Sequence, residues 1–289
     1  MTLLTKFLGN YQRSGLRGSH RLSNFLSQRL KSLQSVPIET ESGTLYADLR
    51  ISSSRTILAY PKSQTGEDVA MREFVKKGDA VFDIGAHLGF YTLLLSELAG
   101  ENGKVFAFEP NHELLPSLRK TLKPLANVEL QTIALSDRNG NVNLFVPEDA
   151  SMASLVDWTQ GTAGNVHAIS CEMRCIDDLV ESGKLPVPQF IKCDVEGAEL
   201  SIFTGGVKTL NRTDAPIIMF EVIAKAAKAY SANVNSYFDI LKSLEDSKYL
   251  FFEVMSDGIK ELKSTEIEYA NVVAIPHAKR SLFANILPD

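Results

Sequence analysis

The sequence has no apolar run approaching the roughly 18 residues that a helical membrane span needs. Its first residues also lack the continuous apolar segment and small-residue cleavage site of a secretory signal. The expectation is therefore a cytoplasmic protein. Cysteine is scarce: Cys171, Cys175 and Cys193 are odd in number and form no Cys-x-x-Cys pair, which excludes a closed disulfide framework. The five histidines show no His-x-x-x-His or His-Glu-x-x-His spacing, so the usual zinc motifs are missing. Acid is absent from residues 1 to 38, which carry Lys6, Arg13, Arg17, Arg21, Arg29 and Lys31; the formal charge of -5 divides into +6 there and -11 elsewhere. An acidic body argues against a general nucleic acid binder. The basic, leucine- and phenylalanine-containing start could meet an anionic lipid, a carrier or a phosphorylated glycan, or could be a solvated, partly helical extension. Nothing in the sequence sets an oligomeric state.

With 289 residues, 44% of them hydrophobic and 22% charged, the chain suits one large domain plus an extension. From about residue 70 short apolar runs alternate with helix-compatible segments. "AVFDIG" (80–85) precedes "FYTLLLSELAG", "KVFAFEP" (104–110) precedes "HELLPSLRKTL", and "VELQTIALSD" (128–137) reads as a third strand. Such alternation implies parallel strands joined by right-handed crossovers, hence a doubly wound α/β sheet. After the third strand, Asn139-Gly140 followed by Val142, Leu144 and Val146 reads as a hairpin insertion, extending over about 138–170. "FIKCDV" (190–195), "APIIMFEVI" (215–223), "YLFFEVM" (249–255) and "YANVVAIP" (269–276) supply the remaining strands. The expected division is an N-terminal extension capping the substrate side (1–69) and a cofactor-binding domain (70–289).

The chemistry concentrates in "VFDIGAHLGFYT" (81–92). A dinucleotide fingerprint is Gly-x-Gly-x-x-Gly, whose middle glycine lets the backbone approach a pyrophosphate. Here the order is Asp83-x-Gly85-x-x-x-Gly89, with a carboxylate in the first glycine's place. That carboxylate would repel a pyrophosphate but attract the ammonium and sulfonium groups of S-adenosylmethionine. Glu109 ends the next strand 109 - 89 = 20 residues after Gly89, the interval at which an acid grips ribose hydroxyls. Pro110 holds Glu109 in extended backbone. Taken singly, Asp83 could be a helix cap and Glu109 a solvated strand end; their spacing in strand-turn-helix context favours the cofactor reading.

The blocks "GDAVFDIGAHLGFYT", "VFAFEPN", "ALSD", "FIKCDVEGAELSIFTGG" and "IIMFEV", in that order over about residues 65 to 225, resemble the FkbM-type family of S-adenosylmethionine-dependent methyltransferases. The resemblance implies a seven-stranded, mostly parallel class I methyltransferase sheet of Rossmann-like winding with a last antiparallel strand. It also implies O-methylation of sugars, glycolipids, polyketides or similar natural products. His87 stands where many relatives carry asparagine, and a neutral imidazole can still hydrogen-bond a methionine carboxylate. The candidate cofactor set is Glu67, Asp83, Gly85, Ala86, His87, Gly89, Tyr91, Glu109, Pro110, Asn111, Ser136 and Asp194. Glu67 would reach the methionine amine and Ser136 the adenine edge.

Asp194 falls at the carboxyl end of the fourth strand, where open α/β sheets bind ligands; Glu196 follows, and Glu221 lies on the neighbouring strand. Asp194 or Glu196 is the expected acceptor of the hydroxyl proton, with His87 the third catalytic candidate. The opposing reading has Asp194 capping a helix that begins near Glu196. These acids also offer hard oxygen ligands for magnesium, but no full ligand set is recognisable, so no metal site is expected. Trp158 would line the acceptor pocket or anchor the inserted loop. Two rivals remain: a nicotinamide oxidoreductase, disfavoured by the missing middle glycine and the lack of a Tyr-x-x-x-Lys pair, and a binding protein that keeps the pocket without chemistry.

Overall fold

The computed structural model describes residues 2–159, 164–256 and 258–287. Helices α1 (Leu3–Arg13) and α2 (Ser19–Arg29) precede a ribbon of β1 (Val36–Glu39) and β2 (Thr44–Ala47), then α3 (Ser52–Ala59) and α4 (Gly66–Phe74). The first half of the central sheet follows: β3 (Ala80–Ile84), α5 (Phe90–Ala99), β4 (Lys104–Phe108), α6 (Leu115–Leu122) and β5 (Val128–Gln131). A side sheet contains β6 (Ala134–Leu135), β7 (Gly140–Val146) and β8 (His167–Arg174). After α7 (Ile176–Glu181) come β9 (Phe190–Cys193), α8 (Glu199–Thr204), α9 (Val207–Leu210), β10 (Ile217–Ile223), α10 (Ala224–Ala229) and α11 (Val234–Lys242). The chain closes with β11 (Tyr249–Met255), β12 (Gly258–Glu261) and β13 (Tyr269–Pro276).

The central sheet runs β12-β11-β13-β10-β9-β3-β4-β5. Strands β5, β4, β3, β9 and β10 are parallel, and β13 enters antiparallel beside β10. This is the expected doubly wound arrangement of seven strands with a last antiparallel strand, extended at one edge by β12, which pairs with β11 as a hairpin. The inner parallel strands β3, β4, β9 and β10 are mostly apolar because both their faces are covered. Phe82 and Ile84 join the core under α8 and α11, with Phe203, Phe220 and Phe238, while Val81 joins Met71, Phe74, Leu95 and Val273 on the other face.

Two expectations need correction. Residues 128–137 are not one strand: β5 ends at Gln131, and β6 leaves the central sheet to pair in parallel with β8. Nor does Asn139-Gly140 form a two-residue hairpin turn, because the strands it joins, β6 and β7, flank β8 instead of pairing with each other. The hairpin is β7 with β8, in register from Gly140 opposite Met173 to Val146 opposite His167. It buries Leu144, Val146, Cys171 and Met173 with Ala134. Residues 160–163 of the expected 138–170 insertion lie outside the described residues.

The N-terminal segment is packed, not merely solvated. Leu8, Leu33, Ile38 and Leu45 share a core with Leu88, Leu93 and Leu114 of the glycine loop and the helices beside it. Arg13 fixes α1 to the end of α3 by donating from Nε and Nη2 to the Ala59 oxygen at 3.0 and 2.8 Å.

Candidate active site

The winding direction changes between β3 and β9, and a cleft of about 720 Å³ opens there, at the carboxyl ends of β3, β4, β9 and β10. Gly85 makes the entry turn at φ 86°, and a Cβ there would lie 1.9 Å from the Asp194 backbone oxygen. Only glycine lets these two strand ends come so close. The N–H groups of Gly85 and Ala86 both donate to the Phe108 oxygen at 3.0 Å, which folds the loop over β4. The next residue, His87, takes a positive φ of 54°.

That conformation turns the His87 N–H toward Glu109, whose Oε2 accepts it at 2.8 Å while Oε1 accepts the Asn111 N–H at 2.8 Å. Glu109 therefore ties the glycine loop to the end of β4, and each oxygen keeps a lone pair for a further donor. Burial pushes its carboxyl up to about 7 in spite of the two N–H bonds. Burial likewise pushes the His87 imidazole down to about 4, so it is neutral, and its Nε2 has no partner among the described residues.

A row of charge crosses the floor. Asp83, Lys192 and Glu221 each follow by two residues the buried Val81, Phe190 and Met219, so three adjacent strands change from apolar to charged on one face at one level. Asp83 and Lys192 are register partners. The Thr92 hydroxyl donates to Asp83 Oδ2 at 2.5 Å, while Oδ1 is buried without a partner among the described residues. Burial raises the Asp83 carboxyl above its ordinary range although Lys192 draws it down. Lys192, itself buried, donates to Asp194 Oδ2 at 3.0 Å, with its Nζ 4.7 Å from the centre of the Tyr91 ring. Burial works against its charge, but Asp194 and Asp83 hold it above the ordinary lysine value. Asp194 is correspondingly held below the usual carboxylate range: Lys192 outweighs the effect of burial.

Glu196 and Glu221 complete the acid group. Their carboxylate oxygens and one from Asp194 all lie within 4.8 Å of one another. Burial, then the Asp194 charge, pushes Glu196 up to about 9 and Glu221 up to about 8. Near neutral pH the cleft's own groups thus have Asp194 ionised and these two glutamates carrying protons. Glu196 sits at φ 56°, and the Ser154 hydroxyl donates to its backbone oxygen at 2.8 Å. The Tyr230 hydroxyl, 2.7 Å from Ser154 Oγ, accepts the Leu155 N–H at 2.9 Å and so staples the inserted segment to the acid loop. No cap comes from Asp194: α8 begins at Glu199, with Ala198 as N-cap and no side-chain capping bond. Glu199 instead turns back to accept the Val195 N–H at 3.1 Å.

Ten of the expected site residues line the cleft: Glu67, Asp83, Gly85, Ala86, His87, Tyr91, Glu109, Pro110, Asp194 and Glu196. Glu67 is aimed by Asn271, whose Nδ2 donates to Oε1 at 2.7 Å. Three are off the wall. Gly89 is the left-handed N-cap of α5, and Asn111 is fully buried and acts through the N–H it gives Glu109. Ser136 directly follows β6 and donates its N–H to the Arg174 oxygen of β8 at 2.9 Å. Trp158 is also off the wall and buried, an anchor of the inserted loop. The sequence reading missed Lys192, whose only trace is a charge inside the apolar run "FIKC". It also missed Ser53, Thr56, Ile57 and Tyr60, at and beyond α3, which form one wall.

Residues 83–256 match the pattern of the methyltransferase FkbM domain. The hexuronic acid methyltransferase AglP of Haloferax volcanii is 27% identical over 202 residues, covering 68% of this chain and 80% of that protein. The 2-O-methyltransferase NoeI of Sinorhizobium fredii is 27% identical over 154 residues, 48% of this chain and 61% of that one. A crystal structure of methyltransferase FkbM from Methylobacillus flagellatus aligns over 89% of this chain and 59% of its own at a TM-score of 0.45 and 14% identity. The domain match sets the nicotinamide and non-catalytic alternatives aside. Running without a break from Asp83 past Glu109, Asp194 and Glu221, over more than half of the sequence, that match makes the chain a member of the FkbM methyltransferase family.

Proposed function

We propose that the protein moves a methyl group from S-adenosylmethionine to a hydroxyl of an uncharged sugar or a similarly hydroxylated natural product. The observation that carries this reading is the composition of the cleft: six carboxyl groups, on Glu67, Asp83, Glu109, Asp194, Glu196 and Glu221, against the single cation of Lys192. Such a wall suits a nucleoside bearing positive charge and opposes an anionic pyrophosphate. Glu109 would accept the ribose hydroxyls through its free lone pairs. Glu67 and Asp83 would face the methionine ammonium, and His87, a neutral imidazole, could donate to the methionine carboxylate.

Bound there, the cofactor supplies a methyl carbon made electrophilic by its sulfonium. The chain's own work is to hold an alcohol oxygen in line with that carbon and to take its proton. Asp194, already ionised, is the first acceptor. Glu196 and Glu221 lose their protons as a positive charge arrives, because an opposite charge within a few ångströms favours the carboxylate. Positioning is the larger contribution, about 7 to 11 kcal/mol, against roughly 10² to 10⁴ in rate for proton removal.

The same charge count selects the acceptor. Lys192 is held by Asp194 at 3.0 Å, which leaves no lining cation to neutralise an acceptor carboxylate. Once the cofactor's charge has ionised Glu196 and Glu221, they would repel a uronate; a neutral hexoside would find the hydroxyls of Ser53 and Thr56. Incubation with labelled cofactor and a panel of glycosides, followed by mass spectrometry, tests the reading. The expected result is one methyl gained on a hydroxyl; methylation confined to amines, carboxylates or nucleic acid would overturn it.

A further inference from the structure

The first two helices are built inside out. α1 and α2 bury Thr5, Gly9, Gln12, Ser19, Ser23 and Ser27. Gln12 crosses between the helices to donate to Ser23 Oγ at 2.8 Å. Leu8 is buried, and Leu4 and Leu26 pack against the same core, but the two phenylalanines point the other way: Phe7 is 56% exposed and Phe25 53%, and Leu3, Leu16 and Leu30 are also exposed. On α1 the residues furthest from the buried face are Leu3, Phe7 and Asn10, and on α2 they are Arg21 and Phe25. A surface helix ordinarily hides such residues and exposes its serines. The inversion is not a lack of packing, since Leu8 of α1 is fully buried and Arg13 holds the Ala59 oxygen.

Charge identifies what covers this face. Arg21 shares the outward face of α2 with Phe25, and Lys6, Arg17 and Lys31 are exposed on the same segment. None of the four forms an ion pair among the described residues, and residues 1 to 38 contain no acid. The rest of the chain carries -11, so this is the end of the molecule that an anionic surface attracts. Arg29 stacks on Phe25 with its guanidinium carbon 3.6 Å from the ring centre, placing a cation and an aromatic ring together as at a bilayer interface. Exposed phenylalanine and leucine set among lysine and arginine match an anionic headgroup layer over an acyl boundary. We propose that the outward face of α1 and α2 docks the enzyme on an anionic lipid bilayer. Helix α1 also packs on α3, whose Ser53, Thr56 and Ile57 line the cleft, so the docked face lies one helix from the acceptor wall.

The test uses the full chain with phosphatidylcholine vesicles and with vesicles in which part of that lipid is replaced by phosphatidylglycerol. Sedimentation should carry the protein down with the anionic vesicles, and raised salt should release it. A Phe7→Ser/Phe25→Ser double variant and an Arg17→Gln/Arg21→Gln double variant should each bind about tenfold more weakly or less. Both variants should melt at the wild-type temperature, because neither pair is packed in the core. Equal recovery with and without vesicles overturns the proposal, as does equal binding to neutral and anionic vesicles. A concentration-dependent dimer that the phenylalanine variant abolishes, without vesicle binding, would assign the face to a second copy and overturn it too.

Discussion

The backbone oxygen of Asp194 occupies the space that a side chain on Gly85 would need, 1.9 Å from where its Cβ would stand. The glycine loop and the acid loop are thus two sides of one contact, and the cleft exists only while they touch. Gly85→Ala adds that clash to a φ of 86° that alanine resists, a combined cost of roughly 3 kcal/mol or more. Gly78→Ala, at φ 95° with nothing within 4 Å of the added carbon, should cost only the backbone term, about 1 kcal/mol. Denaturant titration of the two variants measures the difference, and only Gly85→Ala should also lose cofactor binding.

Lys192 is the counter-charge for Asp83 and Asp194. Lys192→Met leaves both acids without their cation, which should destabilise the fold by roughly 3 kcal/mol. With the ammonium gone, Asp194 loses its main opposing influences to burial and its carboxyl moves upward. The acid limb of the pH–rate profile should therefore shift to higher pH in whatever activity remains.

Glu196 sets a pH dependence of the opposite sense. Its folded value of about 9 exceeds its ordinary 4.5, so between those values the native chain holds a proton that the unfolded chain has released. Unfolding free energy should fall as pH rises through this window and level off above it. Glu196→Gln should flatten that slope and be more stable than wild type by about 1 to 3 kcal/mol near the upper end, allowing for solvent screening of a half-buried group. Urea melts across pH measure this. S-adenosylmethionine should also expel the proton, so its affinity should rise with pH more steeply than that of S-adenosylhomocysteine, which lacks the sulfonium charge.

Acceptor choice should follow charge. A methyl hexoside should exceed the corresponding uronate in kcat/KM by about tenfold or more, since a like-charge contact in a partly desolvated site costs more than 1 kcal/mol. Glu221→Gln removes one of the opposing groups and should narrow the ratio. Paired kinetics on the two acceptors measure it.

Magnesium should not be needed, because Lys192 already sits on Asp194, one of the three clustered acids. Initial rates before and after exhaustive chelation should agree.

Much of this was legible in the sequence because it is local. Strands β11 and β13 run over the residues where apolar character predicted them, and Gly85, Glu109 and Asp194 sit at strand ends that their neighbours define. What escaped depends on distant partners. Lys192 looks like an interruption of a buried strand until the register places it opposite Asp83. β6 departs from the line of β5 because β8, far along the chain, offers it a partner, and β12 is a short edge strand with little apolar signal. The packing of the first helices was illegible for another reason: apart from Leu8 and Gly9 their buried residues are serine, threonine and glutamine, while Phe7 and Phe25 are exposed, so apolar character does not mark the inner face.

The central claim is that the acid-lined cleft holds a sulfonium nucleoside with Asp83 as one of its anchors. Titration calorimetry with S-adenosylmethionine on the wild type and on Asp83→Asn tests it most directly. The account predicts one binding site in the wild type, affinity about tenfold weaker or worse in the variant, and no heat with NAD. No binding of S-adenosylmethionine to the folded wild type, or NAD bound as tightly, would contradict it.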